Sequence, residues 1–350
     1  MPTIEIPLPA QTTYAELLDL CEIAAFENAF PEEGSFSVKT QGARRYWYFQ
    51  PPEKGHPTKL RAQRYVGPET PELLARIERH RQQKESQALR RKLVVTLTRT
   101  YGLSAPLPAV GNVVAGLAKA GMFRLRGVLA GTVAFQTYPA LLGSRFSGAM
   151  LQTGDVDMAQ FLNVSVAVGD QTEPMLGLLK QIDLSFRKVP SLAREATTRY
   201  VSRKVLRVEF LVPNQGAESD KPMRLPALQT EAEPLRFLDF LIYQPVQAVL
   251  LHGPGVLVTV PAPERFAVHK LILAQRRHRD AAKSRKDIRQ AETLLQILAD
   301  KRPEDLKLAW QEAWSRGPRW RAHLTAGWKR LPESTRLLLL NVLPELSGSK

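Results

Sequence analysis

Hydrophobic residues recur along the chain with the spacings that are typical of helices and short strands. Residues 13–30 place apolar side chains on one face of a predicted helix. Residues 35–66 contain an alternating run at 35–39, an aromatic strand at 45–50 and a third strand-like segment at 60–66, which together predict a small β-hairpin module. Its aromatic side chains either cover the small sheet or stack on bases. Residues 71–100 then predict a long helix with a highly charged second half.

The middle of the chain changes from long helical periods to short apolar runs separated by turns. A predicted strand over residues 123–130 ends in Gly131-Thr132, and a helix is predicted over residues 133–142. Residues 205–211 predict a second strand. Three further apolar runs are interpreted as strands, at residues 237–243, 248–251 and 256–260.

From Pro263 onward the pattern is helical, and Trp310, Trp314, Trp320 and Trp328 are expected to pack helices together. We therefore predict an α+β fold in which helices flank a mixed sheet. The predicted divisions are an N-terminal helix and aromatic hairpin module (1–70), a charged linking helix (71–104), a central domain (105–262) that holds the candidate chemistry described below, and a C-terminal helical domain (263–350).

Composition narrows the classes of function. The chain has 350 residues, a formal net charge of +15 and a single cysteine, Cys21, which excludes an intramolecular disulfide and a cysteine-rich zinc site. The positive charge suits RNA, DNA, nucleotides or acidic lipid surfaces, and is also compatible with simple solubility. We see no signal peptide and no run of about 18 apolar residues that would cross a membrane. A cytoplasmic protein is the expectation.

Three acidic residues carry the candidate chemistry. Side chains two apart on a strand share a face, so Asp155 and Asp157 would repel each other unless a cation lay between them. Mg²⁺ takes such carboxylates together with substrate phosphates. Upstream, the turn at Gly131-Thr132 offers backbone N–H groups and a hydroxyl to a triphosphate. Downstream, Glu209 lies in an apolar strand. Together these residues predict a two-metal phosphoryl-transfer site.

These blocks resemble the nucleotidyltransferase-fold superfamily typified by polymerase beta, and more closely a bacterial branch of nucleotidyltransferase-like proteins of unassigned role. The resemblance covers roughly residues 105–300. The segments that carry it are residues 131–135, 141–143, 153–157, 207–211, 261–270 and 285–287. The chain departs from the common pattern in having Gly-Thr for Gly-Ser, a longer gap before Asp155, and Glu209 for the usual third aspartate.

The resemblance implies roles for individual residues. Asp155 and Asp157 would bind both metal ions, Mg²⁺ or Mn²⁺, and Glu209 would bind the catalytic one and help to deprotonate the attacking hydroxyl. Gly131 and Thr132 would hold the β- and γ-phosphates.

The C-terminal helices are expected to supply cations to the same site. By the same resemblance, Lys270 and Lys286 would contact phosphate, whereas a basic helix face is otherwise an ordinary solvated surface. Asp287 is expected to orient a lysine or cap its helix. His269 is expected to be structural rather than a general base.

Three functional hypotheses follow. The first is an enzyme that moves a nucleoside monophosphate from a nucleoside triphosphate onto a hydroxyl of tRNA or other RNA, a protein or a small molecule, releasing pyrophosphate. The second is a non-catalytic module that binds nucleotide or nucleic acid through the same fold. The third is a metal-dependent phosphodiesterase, for which the sequence offers no convincing water-activating residue. Base preference, acceptor and oligomeric state stay open.

Overall fold

The structure is a computed structural model. It describes residues 4–26, 35–41, 44–50, 64–146, 150–167, 171–189, 197–203, 206–277 and 280–343. Parts of three predicted segments lie outside these ranges: the end of the first helix at 27–30, the start of the third strand of the hairpin module at 60–63, and residue 205 of the strand predicted over 205–211.

Helices dominate both ends of the described chain. They are α1 (Leu8–Phe26), α2 (Pro71–Val95), α3 (Pro108–Lys119), α4 (Gly131–Phe135), α5 (Tyr138–Leu141), α6 (Leu162–Ala167), α7 (Met175–Ile182), α8 (Leu238–Leu241), α9 (Pro263–Arg276), α10 (Ala281–Lys301), α11 (Pro303–Ser315), α12 (Pro318–Lys329) and α13 (Glu333–Leu340). Thr70 caps α2 by accepting from the Leu73 backbone N–H, and Asp280 caps α10 in the same way. A π-helical turn, Thr96–Thr100, continues α2.

The strands of the described residues form three sheets. They are β1 (Ser35–Gln41), β2 (Arg44–Gln50), β3 (Arg64–Pro68), β4 (Val128–Ala130), β5 (Asp155–Ala159), β6 (Arg187–Lys188), β7 (Arg199–Val201), β8 (Arg207–Pro213), β9 (Met223–Leu225), β10 (Thr230–Leu235), β11 (Val246–Leu250) and β12 (Val256–Val260). Strands β1–β3 form the small aromatic sheet, and β11 and β12 form a hairpin.

The central sheet follows the order β4-β5-β8-β10-β9. Strand β5 is antiparallel to β4 and parallel to β8. On its other side β8 pairs with β7 over its first half and with β10 over its second half. Because the sheet is mixed and helices flank it, the predicted α+β class is confirmed.

The C-terminal helices pack onto the start of the segment that follows β4. The rings of Phe135 and Phe266 stack with centroids 5.8 Å apart, and Tyr138 donates a hydrogen bond to the Pro261 carbonyl at 2.8 Å. Trp310 and Trp328 are buried with centroids 6.2 Å apart, as expected of helix-packing residues. Helix α9 is therefore held against the same strand-to-helix turn that the sequence singled out.

A second apolar cluster joins the N-terminal helix to the β11–β12 hairpin. Leu17 and Cys21 of α1 pack in one cluster with Val249 and Leu251, and the Tyr14 hydroxyl accepts a hydrogen bond from the Val249 backbone N–H at 3.0 Å. Helix α1 thus packs on an element that lies far along the chain. The division into four domains stays a prediction.

Several predicted elements need correction. Only Val128–Ala130 of the predicted strand over 123–130 is extended, because residues 121–127 form turns in which Arg126 has a positive φ of 62°. The predicted strand over 237–243 is the helix α8, since a short apolar run suits either element. The single helix predicted over 133–142 is two, α4 and α5, separated near Pro139, which has no backbone N–H to donate.

Among the described residues, no helix combines the length and the apolar run that a membrane crossing requires.

Candidate active site

Strand register brings the three predicted acidic residues to one face of the central sheet. Asp155 and Asp157 alternate on β5 with the buried Val156 between them, and Asp157 lies opposite Glu209 in the parallel β5–β8 pair. Neighbouring side chains in register project on the same side of a sheet. Asp155, Asp157 and Glu209 therefore form a carboxylate cluster, the name used below for these three residues.

The turn at Gly131 lies directly against this cluster. Ala130 at the end of β4 is paired with Asp157, and Gly131 follows with a positive φ of 63°. A Cβ atom at Gly131 would stand 1.9 Å from the Asp157 Oδ2 atom. Any side chain here would collide with the carboxylate, and the left-handed backbone also favours glycine. Thr132 follows in α4 and is partly exposed.

The cluster has the electrostatics of crowded carboxylates. Burial, followed by the charges of Glu209 and Asp155, raises the pKa of Asp157 from 3.8 to about 6, although Lys270 and Arg277 act in the opposite direction. Burial also raises the pKa of Glu209, and Glu233 and Asp155 add to the effect. A bound cation would relieve the repulsion that these shifts report.

Arg199 is a site neighbour that the sequence reasoning missed. It lies opposite Glu209 in the antiparallel β7–β8 pair, and its Nε atom is 3.3 Å from the Glu209 Oε1 atom. Its Nη2 atom is 2.6 Å from the Glu233 carboxylate. The charge of Arg199 lowers the pKa of Glu209 against the effect of burial. In this structure one arginine from the next strand is thus shared between Glu209 and Glu233.

The predicted phosphate-binding cations come from α9 and α10. Lys270 is buried, and its Nζ atom donates to the Asp287 Oδ1 atom at 2.5 Å, so Asp287 does orient a lysine as expected. Arg277 Nε lies 2.6 Å from the other Asp287 oxygen. Asp287 thereby holds two cations side by side, and both influence the pKa of Asp157.

Lys286 approaches from the next helix. Its Nζ atom donates to the Gln152 carbonyl at 2.9 Å, in the loop that leads into Asp155. Burial, and then the neighbouring Lys270, lower the pKa of Lys286, while Asp287 and Asp155 raise it. The structure therefore places Lys270 and Lys286 in the electrostatic neighbourhood of the carboxylate cluster. Contact with phosphate stays a prediction for both.

His269 is buried beside Lys270. Burial, with added repulsion from Lys270 and Arg277, lowers the pKa of His269 to about 3, which keeps the ring neutral across the physiological range. This environment agrees with the expected structural role.

The donor set suits a hard divalent cation. The carboxylate cluster offers oxygen ligands alone, which Mg²⁺ and Mn²⁺ prefer. The absence of a side chain at Gly131 lets the Asp157 Oδ2 atom lie directly against the turn. Within the described ranges, no three His, Cys, Asp or Glu side chains already stand in a metal-holding arrangement. Glu209 is turned to Arg199 instead.

Comparison with known proteins bears on the same region. A family model described as nucleotidyltransferase matches residues 108–315, which is more than half of the chain. Among solved structures, the crystal structure of an antigenic nucleotidyltransferase-like protein from Paracoccidioides brasiliensis is similar at 17% sequence identity. That similarity covers 63% of this chain and 94% of that chain, with a TM-score of 0.31. No curated protein matches the chain.

Proposed function

The chain belongs to the nucleotidyltransferase family, and we propose that it is a metal-dependent enzyme that transfers a nucleoside monophosphate from a nucleoside triphosphate to a hydroxyl group. The observation that carries this proposal is the position of Asp157. This residue lies between the side-chain-free turn at Gly131 and the parallel neighbour Glu209, with Asp155 two positions away on the same face. The turn that we propose to bind phosphate and the carboxylates that we propose to bind metal therefore lie next to each other.

In the proposed reaction, the acceptor hydroxyl oxygen forms a bond to the α-phosphorus. The bond between that phosphorus and the oxygen that bridges the α- and β-phosphates breaks. Pyrophosphate leaves with the bonding pair. Asp155, Asp157 and Glu209 would hold Mg²⁺ or Mn²⁺, which when bound neutralises phosphate charge and lowers the pKa of a coordinated hydroxyl.

The chain's own residues position and neutralise the substrate. The backbone at Gly131 and the Thr132 hydroxyl would bind the β- and γ-phosphates. Lys270, fixed by Asp287, and Lys286, fixed by the Gln152 carbonyl, would add positive charge to the departing pyrophosphate. Glu209 would accept the hydroxyl proton, because its raised pKa makes it more basic than an exposed glutamate.

A second candidate function is a non-catalytic module that binds nucleotide or nucleic acid. The Arg199–Glu209 ion pair favours it, because an arginine that stays on the third acid would replace the catalytic metal ion. The two functions differ in a measurable way, since the module would bind nucleotide without consuming it.

The test is label transfer from each of the four nucleoside triphosphates, labelled at the α-phosphate, in Mg²⁺ or Mn²⁺ with bulk cellular RNA and protein. We expect one or more labelled acceptors, and none with Asp155→Asn or Asp157→Asn. Asp220→Asn is the matched control, because it removes the same charge from an exposed loop position. Transfer that survives both cluster variants would contradict the assignment, and metal-dependent binding without transfer would favour the module.

A further inference from the structure

A basic cavity lies where α9 ends and α10 begins, on the two helices that carry Lys270 and Lys286. It has a volume of about 320 Å³ and is lined by Arg277, Arg285, Arg330 and Ser284 together with three uncharged residues. We call it the arginine pocket. Among the described residues that line it there is no carboxylate, and its charged groups there are all cationic. Such a cavity suits an anion.

Within the described ranges, two of these arginines have no carboxylate partner. Arg277 contacts Asp287, which it shares with Lys270. In the part of the chain that the structure describes, neither Arg285 nor Arg330 forms an ion pair with a carboxylate. The pocket therefore carries uncompensated positive charge, which an incoming phosphate would neutralise by charge-assisted hydrogen bonds.

One arginine is also fixed in place before any ligand arrives. Arg330 Nη1 donates to the Ser284 Oγ atom at 2.9 Å and to the Ala274 carbonyl at 3.2 Å. Ser284 is buried, and its hydroxyl donates to the same carbonyl at 2.7 Å. Because the guanidinium is already ordered, binding an anion costs less side-chain entropy than it would at a free surface arginine.

The arginine pocket faces away from the proposed triphosphate site. Ala281, Ser284 and Arg285 follow i, i+3, i+4 spacing and so share one face of α10. Lys286 and Gln290 share another face, from which they donate to the carbonyls of Gln152 and Met150. The arginine pocket and Lys286 would therefore bind different phosphate groups, and only those at Lys286 would belong to the nucleotide. Arg277 joins the two regions through Asp287.

We propose that the arginine pocket binds a backbone phosphodiester of a polynucleotide acceptor. The formal charge of +15 agrees with such a partner. That this polynucleotide is the acceptor rests on the proposed function, whereas the phosphate site itself does not. The contacts are to phosphate, so RNA and DNA are both expected to bind, and the experiment compares them.

The experiment measures binding of a short labelled single-stranded RNA, and of DNA of the same sequence, to the full chain without nucleotide over a series of salt concentrations. Arg285→Gln and Arg330→Gln should each weaken binding about tenfold. Each should also make the dependence of log K on log salt shallower by about 0.7. The matched control is Arg321→Gln, which removes the same charge from an exposed α12 position outside the pocket.

Arg285→Gln is the main variant, because Arg330 also donates to groups of the fold. Calorimetry with ATP and Mg²⁺ separates the proposals. Unchanged nucleotide affinity in Arg285→Gln supports a separate acceptor subsite, and a matching loss of nucleotide affinity overturns it. Three other results would also overturn the proposal. They are a loss of RNA binding in Arg321→Gln as large as that in Arg285→Gln, no binding of RNA or DNA by the wild type, and displacement of RNA by polyglutamate as strongly as by a polynucleotide. RNA binding that depends on Arg285, in a protein that does not bind nucleotide, would refute the proposed function. It would still support phosphate binding in the arginine pocket.

Discussion

Replacing Asp157 by asparagine should make the metal-free protein more stable at neutral and alkaline pH. The change keeps the size of the side chain and removes a negative charge that lies beside Glu209 and Asp155. In the folded protein, burial and these neighbours raise the pKa of Asp157 from 3.8 to about 6. The ionised carboxylate therefore opposes folding, and the neutral amide does not.

The sign and the size of this stability change follow from proton linkage. The folded protein binds more protons than the unfolded chain between about pH 4 and pH 6, so its stability falls as pH rises through that window. The stabilisation that comes from protonated Asp157 is complete below the pKa of this residue in the unfolded chain, and it is lost above its pKa in the folded protein. At 1.36 kcal/mol for each pKa unit, a shift of about two units corresponds to about 3 kcal/mol. Asp157→Asn should gain up to that amount above about pH 7 and nothing below about pH 4.

The measurement is urea unfolding of both proteins across this pH range in a chelating buffer. Asp220→Asn serves as the control, because it changes net charge equally at an exposed position and should show no such trend. Added Mg²⁺ should stabilise the wild type and reduce the difference, since binding to the folded state alone raises its stability. A variant less stable than the wild type above pH 7 without metal would refute the crowded-carboxylate explanation.

Four further predictions concern the same site. Gly131→Ala should lower stability by more than about 1 kcal/mol in urea unfolding and abolish nucleotide binding, because its Cβ meets Asp157; unchanged nucleotide affinity would contradict this. Lys270→Ala should weaken triphosphate binding more than monophosphate binding in calorimetry, whereas a purely structural role would weaken both equally. Glu209→Gln should keep nucleotide binding and lose label transfer, and Glu209→Asp should retain transfer; a Gln variant with the wild-type rate would remove Glu209 from the mechanism. Arg199→Ala should raise Mn²⁺ affinity about three- to fivefold in calorimetry without nucleotide, because a competing cation leaves Glu209, and unchanged affinity would show that Arg199 does not compete.

Local pattern was sufficient for the elements that carry the chemistry. The two-residue spacing of Asp155 and Asp157 placed both on one face of a strand, and the apolar run around Glu209 predicted a second strand. The structure has both strands. The long helical periods after Pro263 likewise gave α9 and α10. Where the apolar run was short, as at residues 237–243, the pattern could not separate helix from strand, and the prediction was wrong.

The pairing of strands that lie far apart in the chain could not be predicted from the sequence. Arg199 lies beside Glu209 only because β7 runs antiparallel to β8 in one register, and a slip of a single residue would turn its side chain to the other face. The basic face predicted on α9 and α10 is likewise divided by packing. Lys270 is buried on Asp287, whereas Arg285 lines a separate pocket with Arg330.

By itself the sequence determined the residue types and their local spacing: two aspartates two apart, a glycine at a strand end, a glutamate in an apolar strand and cations on the following helices. Spacing within one element fixes which side chains share a face, because the backbone period is set locally. Only the tertiary structure decided that Gly131 faces Asp157, that Arg199 pairs with Glu209, and that one aspartate holds both Lys270 and Arg277. Those neighbours depend on strand register and helix packing, which arise from the burial of the whole core rather than from any short segment.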